Sequence, residues 1–149
     1  MNVRVFGFTL IELMVTISII AIIIAIGIAS YTGINKRSRD TKRKSDLEQI
    51  RSALEMYRAQ NGFYPQLGGL EDSFMYAYDL DTYLVPSYMS DIPSDPINSS
   101  NYMYRYKATS EVDNRYYGYC LSAFLETQNQ DDTCTPDSTL SHNIGLRNP

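Results

Sequence analysis

The sequence predicts an α+β protein, in which one long N-terminal α-helix packs its C-terminal half on a small antiparallel β-sheet of three or four strands. Three observations predict it. No charged residue occurs from Leu13 to Asn35, and Leu13–Ile28 is dominated by Ile, Val, Leu, Met and Ala. Past that run, Leu47, Ile50, Leu54 and Tyr57 recur at three- and four-residue steps, joined by Ala53 and Met56, which marks one apolar stripe of a helix. Farther on, residues 102–107 alternate with period two and residues 116–124 read as a second strand.

The apolar run, with Phe8, Leu10 and Ile11 ahead of it, is long enough to cross a bilayer. Glu12 is the one charge inside it, and a carboxylate in hydrocarbon is costly enough to demand a cationic partner. Three readings compete. A conventional signal peptide would use Arg4 as its basic residue and Gly27-Ile28-Ala29 as its cleavage site. A plain signal anchor would leave Glu12 near the interface. A cut ahead of the apolar helix would keep that helix in the mature protein.

The helix does not stop at the membrane edge. Residues 36–60 contain no Pro, and the stop falls at Asn61-Gly62, followed by Pro65. A helix from about Phe8 to Gln60 is roughly 80 Å long at 1.5 Å per residue. Arg51 and Glu55 stand as an i,i+4 pair. Glu71–Leu84 reads as a short helix marked by Phe74, Tyr78 and Tyr83. Pro86, Pro93 and Pro96 make residues 85–100 a loop. Residues 108–115 connect the two strands as a hairpin, and the polar tail from Gln128 reads as loop, tied down by Cys134 alone.

Charge divides the chain. Residues 1–59 hold nine Lys/Arg against five Asp/Glu, whereas residues 60–149 hold four against twelve. The acidic distal part is a poor polyanion binder, so contact with nucleic acid is left only to the basic stretch at 36–44. That stretch holds Lys36, Arg37, Arg39, Lys42, Arg43 and Lys44 with Asp40. It reads first as a solvated helix face. Lipid head groups or an acidic surface of a neighbouring subunit are the alternatives, and the positive-inside rule runs against placing it outside the cell.

Thirteen tyrosines and no tryptophan suit half-buried sheets and subunit contacts. Cys120 and Cys134 would form a disulfide if the domain is exported, closing a loop of about 15 residues for roughly 3 kcal/mol. In a reducing compartment they would be two thiols, and without histidine partners they are too few for structural zinc. His142 is the one histidine. With no metal-ligand spacing, phosphate loop or nucleophile–base arrangement, the sequence offers no catalytic residues and no metal site.

The string Gly7-Phe8-Thr9-Leu10-Ile11-Glu12 resembles the type IV prepilin and pseudopilin signature. The resemblance implies cleavage between Gly7 and Phe8 by a membrane prepilin peptidase, then N-methylation of Phe8. It divides the chain into a leader at 1–7, a transmembrane and polymerisation helix at 8–35, an amphipathic continuation at 36–61 and a globular pilin-like domain at 62–149. Cleavage leaves an ammonium on Phe8, and Glu12 of one subunit would meet it on a neighbour, each offsetting the other's cost in an apolar bundle. Lys44–Pro65, with Asn61-Gly62-Phe63-Tyr64-Pro65 at its end, is similar to the G-type major pseudopilins and related short pilins. Ile92-Pro93-Ser94-Asp95-Pro96 is similar to the segment that opens their sheet.

The resemblance further implies the type IV pilin fold and a homo-oligomeric helical filament with a heterologous, non-closing interface. It implies residence in the inner membrane before assembly, with the C-terminal domain outside the cytoplasm. Afterwards the subunit would stand in a surface pilus or a periplasmic pseudopilus, with pilus or secretion machinery as partner. No cofactor is expected. In that family the distal loop often binds calcium, and Asp131, Asp132 and Asp137 are the oxygen ligands on offer here, without a dense Asp/Gly loop. The rival from another class is a membrane-anchored binding module that never polymerises.

Overall fold

The computed structural model describes residues 7–68, 74–99, 101–127, 131–132, 134 and 144–147. Helix α1 runs from Leu10 to Asn61, 52 residues. It ends as the Asn61-Gly62 pattern requires: Gly62 takes φ +83°, and its N–H donates to the Arg58 carbonyl at 2.7 Å. A left-handed glycine closes helices because it has no Cβ to clash there.

The chain divides into two compact units, residues 1–36 and 37–149. In the first, no described side chain of the helix is buried. The large apolar side chains described from Phe8 to Ile34 are 52–85% exposed. Thr16 and Ser18 return their hydroxyl protons to the carbonyls of Leu13 and Met14, at 2.8 and 2.7 Å. Such back-bonding lets a hydroxyl sit in an apolar medium without an orphaned donor.

The second unit contains a five-stranded sheet. Its strands are β1 (Met75–Tyr76), β2 (Arg105–Val112), β3 (Arg115–Ala123), β4 (Asp131–Asp132) and β5 (Ile144–Arg147), ordered β1-β2-β3-β5-β4. The pairs β1–β2, β2–β3 and β3–β5 are antiparallel, while β4 lies parallel to β5. A 3₁₀ turn at Ala77–Leu80 and a one-turn helix α2 at Asp81–Leu84 follow β1.

Leu47, Ile50, Ala53 and Leu54 of α1 are fully buried together with Tyr106, Leu121 and Ala123 of the sheet. The four helix residues belong to the stripe read from the sequence, of which Tyr57 packs half-buried at the edge, whereas Met56 is corrected: it is 45% exposed and lies off the buried face. Each buried tyrosine finds a hydroxyl partner: Tyr106 donates to the Pro65 carbonyl at 2.8 Å, Tyr104 to Asp46 at 2.7 Å, and Tyr64 to Glu55 at 2.8 Å. A buried phenol without an acceptor would cost about 1–3 kcal/mol, so the abundance of tyrosine here reflects a core with polar exits. Burial and the Glu55 carboxylate push the Tyr64 phenol up to about 12.

Several sequence expectations are corrected. Residues 108–115 are not a loose connection, because β2 runs on to Val112 and turns through Asp113-Asn114 at φ 49° and 60°. Asp and Asn tolerate that left-handed pair, which is the turn whose twist matches a hairpin. Within Glu71–Leu84, Met75–Tyr76 is strand because it pairs with Arg105–Tyr106. The tail is not all loop, since β5 pairs with Cys120–Ala123 of β3. Arg51 reaches Glu48 at 3.4 Å in place of Glu55, which the Tyr64 and Tyr119 hydroxyls occupy. Asp137, His142 and the side chains of Asp131 and Asp132 lie outside the described residues.

Candidate functional site

The candidate assembly site begins ahead of the helix. Gly7 and Phe8 are exposed and precede the first helical residue, so the Gly7–Phe8 bond sits in non-helical backbone open to solvent. Glu12 folds back on the helix start. Its Oε2 accepts the Thr9 N–H and the Thr9 hydroxyl, both at 2.8 Å, while the Glu12 N–H donates to Thr9 Oγ1 at 3.3 Å. This is a reciprocal capping box, in which residues three apart satisfy each other's free donors. The sequence carried its signal, Thr-x-x-Glu, beneath the more conspicuous charge-in-membrane argument. Glu12 is therefore already held by Thr9 within its own chain, pointing toward the end of the helix where a Phe8 ammonium would be.

A second cluster lies where the basic stretch meets the sheet. Arg43 is fully buried. Its Nε and Nη2 donate to the two Asp95 oxygens at 2.5 and 3.2 Å, and its Nη1 donates to Asp40 at 2.8 Å and Glu126 at 2.9 Å. The guanidinium also lies 4.9 Å from the Tyr102 ring centre. Arg39 grips Glu126 through two bonds of 2.7 and 2.6 Å. Asp40 holds the bend beyond β3, accepting the N–H groups of Glu126 and Thr127 at 2.9 Å each.

Planar, bidentate guanidinium geometry suits such carboxylate contacts. The Arg39 hydrogen bond, against the opposing effect of burial and helped by Arg43, holds the Glu126 carboxyl down at about 2. Burial opposes charge on Asp40, but the Thr127 hydroxyl, the two N–H groups and Arg43 outweigh it and lower its pKa. The solvated-face reading of residues 36–44 is thus corrected for Arg39 and Arg43, while Lys36, Arg37 and Lys42 are exposed. Arg39 and Arg43 turn inward because the sheet and its loops bring carboxylates to them, and Lys42 pairs with Asp46 at 2.8 Å.

Cys120 and Cys134 are joined in a disulfide, Cα–Cα 5.9 Å and 14 positions apart. The bridge packs against Phe74. Gly145 on β5 has no room for a side chain, since a Cβ there would stand 2.5 Å from the Cys134 sulfur. Among the described residues no group of three or more His, Cys, Asp or Glu is placed to hold a metal.

A helix long and apolar enough to cross a membrane, with its described large apolar side chains exposed, thus opens on a capped glutamate just past a non-helical Gly-Phe bond. Residues 30–120 match the family described as type II secretion system (T2SS), protein G, and residues 3–28 match the prokaryotic N-terminal methylation motif. The chain belongs to the type II secretion system protein G family, within the pseudopilin and type IV pilin group. Similar proteins include the type II secretion system core protein G of Escherichia coli (strain K12), 31% identical over 94 residues covering 60% of this chain and 65% of that one. The core protein G of Aeromonas hydrophila is 31% identical, with 60% and 66% covered. That of Klebsiella pneumoniae is 36% identical over 59 residues, 40% and 42%. The chain spans just under two thirds of the length of the first two relatives. No solved structure matches.

Proposed function

We propose that the chain is a structural subunit of a type II secretion pseudopilus or a closely related type IV pilus. A prepilin peptidase cuts it between Gly7 and Phe8, Phe8 is N-methylated, and secretion or pilus machinery draws the subunit from the inner membrane into a helical filament. The domain outside the cytoplasm then stands in a periplasmic pseudopilus or at the cell surface. The reading uses no cofactor and no catalytic residue.

One observation carries it. The large apolar side chains described from Phe8 to Ile34 are exposed, and a helix that is apolar all round must be buried in lipid or in other copies. Lipid covers it before assembly and neighbouring helices cover it afterwards. Glu12 exchanges its Thr9 contacts for a neighbour's Phe8 ammonium during that transfer, which penalises a subunit out of register. The disulfide-closed distal segment favours the surface-pilus variant, because a covalent closure resists unfolding outside the cell.

The test is Glu12→Ala in a cell carrying the matching machinery. Sheared filaments should disappear while the protein stays in the membrane. Normal filament yield from Glu12→Ala would contradict the proposal and favour an anchored module.

A further inference from the structure

Four arginines of the folded domain lie on aromatic rings. Arg43 stands over Tyr102 at 4.9 Å, Arg58 over Tyr64 at 5.2 Å, Arg105 over Tyr76 at 3.8 Å and Arg115 over Phe63 at 5.6 Å. Arg39 and Arg51 hold carboxylates. Among the described residues, the guanidinium groups of Arg37 and Arg147 are left without a ring, an ion pair or a hydrogen bond, and both are exposed.

A receptor for such a group stands open on the flank of the domain. Ala77 and Leu80 turn inward from the 3₁₀ turn and are buried. Tyr78 and Asp81 are exposed, and residues three apart eclipse in such a turn, so ring and carboxylate stand side by side. Tyr76 stacks on the Tyr78 ring with centroids 5.4 Å apart and planes 15° apart, and Arg105 sits on Tyr76. Tyr78 nonetheless stays 60% exposed. Neither its hydroxyl nor the Asp81 carboxylate has a hydrogen-bond or ionic partner among the described residues. A ring beside a carboxylate suits a guanidinium in particular, because the planar ion stacks on the ring while its edge donates to the oxygens.

The level of this pair along the helix selects Arg37 of a second copy. The Ala77 N–H donates to the Tyr104 carbonyl at 2.9 Å, and the Tyr104 hydroxyl donates to Asp46. Tyr78 also shares a small cleft with Asp95, which Arg43 holds. Tyr78 therefore stands near the level of Arg43 to Asp46, about 9–14 Å beyond Arg37 along α1. A copy displaced by that much toward the C-terminal end of the helix brings its own Arg37 level with Tyr78 and Asp81. The Phe8–Glu12 pairing proposed above displaces neighbours in the same sense. Arg37 follows the charge-free run by two residues, so burying that run among copies also carries Arg37 against their domains. Residues 60–149 hold twelve acids and four bases. Packed domains therefore repel one another, and a helix base set against an exposed acid offsets part of that repulsion.

We propose that Tyr78 and Asp81 of one subunit receive the Arg37 guanidinium of another, a heterologous contact that repeats along the filament. The proposal rests on the filament reading above and names the domain contact that fixes how neighbouring copies are set.

The experiment is sheared-filament yield in cells carrying the matching machinery, with melting of the purified full chain as the control for folding. Arg37→Asp and Asp81→Arg should each lower the yield by at least about five-fold with little change in melting. Arg37→Asp/Asp81→Arg should return it to within about two-fold of wild type. Tyr78→Phe should keep the yield, because the ring remains, and Tyr78→Ala should lose it. A photoreactive benzoylphenylalanine in place of Tyr78 should join two copies, with the crosslink mapping to the segment around Arg37. The proposal is overturned by normal yield from both charge reversals, by no recovery in the double reversal, or by a crosslink that maps elsewhere. A crosslink at Arg147 would make that residue the guest instead. A wild type without filaments overturns the filament reading itself. Loss of filaments in Glu12→Ala with normal yield from both reversals leaves that reading standing and removes this contact alone.

Discussion

Arg43 on the helix and Asp95 in the proline-rich loop form an ion pair of 2.5 Å with both side chains almost wholly removed from solvent, although 52 positions separate them. Asp40 and Glu126 complete the set, so one guanidinium ties the helix to the loop and to the bend beyond β3. Removing one partner from a buried pair strands the others without compensation, at a cost of about 3–5 kcal/mol. Arg43→Met should therefore lower the melting temperature of the full chain by more than about 10 °C. Arg43→Lys should recover only part of that, because one ammonium cannot serve three carboxylates at once. Circular dichroism melts in detergent check both.

The same cluster sets acid stability. The folded-state pKa of Glu126, at about 2, lies below its ordinary value of 4.5. Its contribution is therefore present above pH 4.5 and is lost as the pH falls toward 2. Stability should decline across that window, and Glu126→Gln should both lower it at pH 6 and flatten the decline. A denaturation series from pH 2.5 to 6 reads the slope; an unchanged slope in Glu126→Gln would remove Glu126 from the account.

The disulfide and Gly145 should act as one unit. Cys120→Ala/Cys134→Ala is expected to cost about 3 kcal/mol by releasing the closed loop. Gly145→Ala in the native background places a methyl 2.5 Å from the Cys134 sulfur, and overpacking of this kind costs about 1–3 kcal/mol. With the sulfur removed as well, the Gly145→Ala penalty should shrink, so the two changes are not additive. A double-mutant cycle by thermal melting measures that coupling.

Glu12 has two tasks that a conservative change separates. Glu12→Gln keeps an oxygen to accept from Thr9, so α1 should keep its helical content. It removes the charge that a Phe8 ammonium needs, so filament yield should fall at least ten-fold. Thr9→Val should do the reverse, fraying the first turn while leaving the carboxylate to pair. Filament shearing and helix content of the purified chain check the two outcomes.

Much of this architecture was legible in the chain. The stripe at Leu47, Ile50, Ala53 and Leu54 names its own burial, since three- and four-residue spacing admits one apolar face. Asn61-Gly62 names the stop. The Gly7–Glu12 string carried the family because its meaning lies in local spacing. What the sequence hid were encounters between distant residues. Nothing near Arg43 announces Asp95 or Glu126, so a run of bases looked solvated when two of them are held inward by acids from elsewhere. The β5 strand was hidden likewise, because Ile144–Arg147 is too short to show a period and gains its structure from β3. The Asp113-Asn114 turn was readable, but Ala108, Ser110 and Glu111 ahead of it are weak strand formers, so the end of β2 was placed too early, at Lys107.

The central claim is that the apolar helix stays in the mature protein and begins at a freshly exposed Phe8. Intact mass and N-terminal sequencing of the protein purified from cells with the cognate peptidase test it directly. The account predicts an N-methylated phenylalanine followed by Thr9-Leu10-Ile11-Glu12. A mature chain starting at Ser30, after Ala29, would contradict it, because the helix that is meant to build the filament would have been discarded.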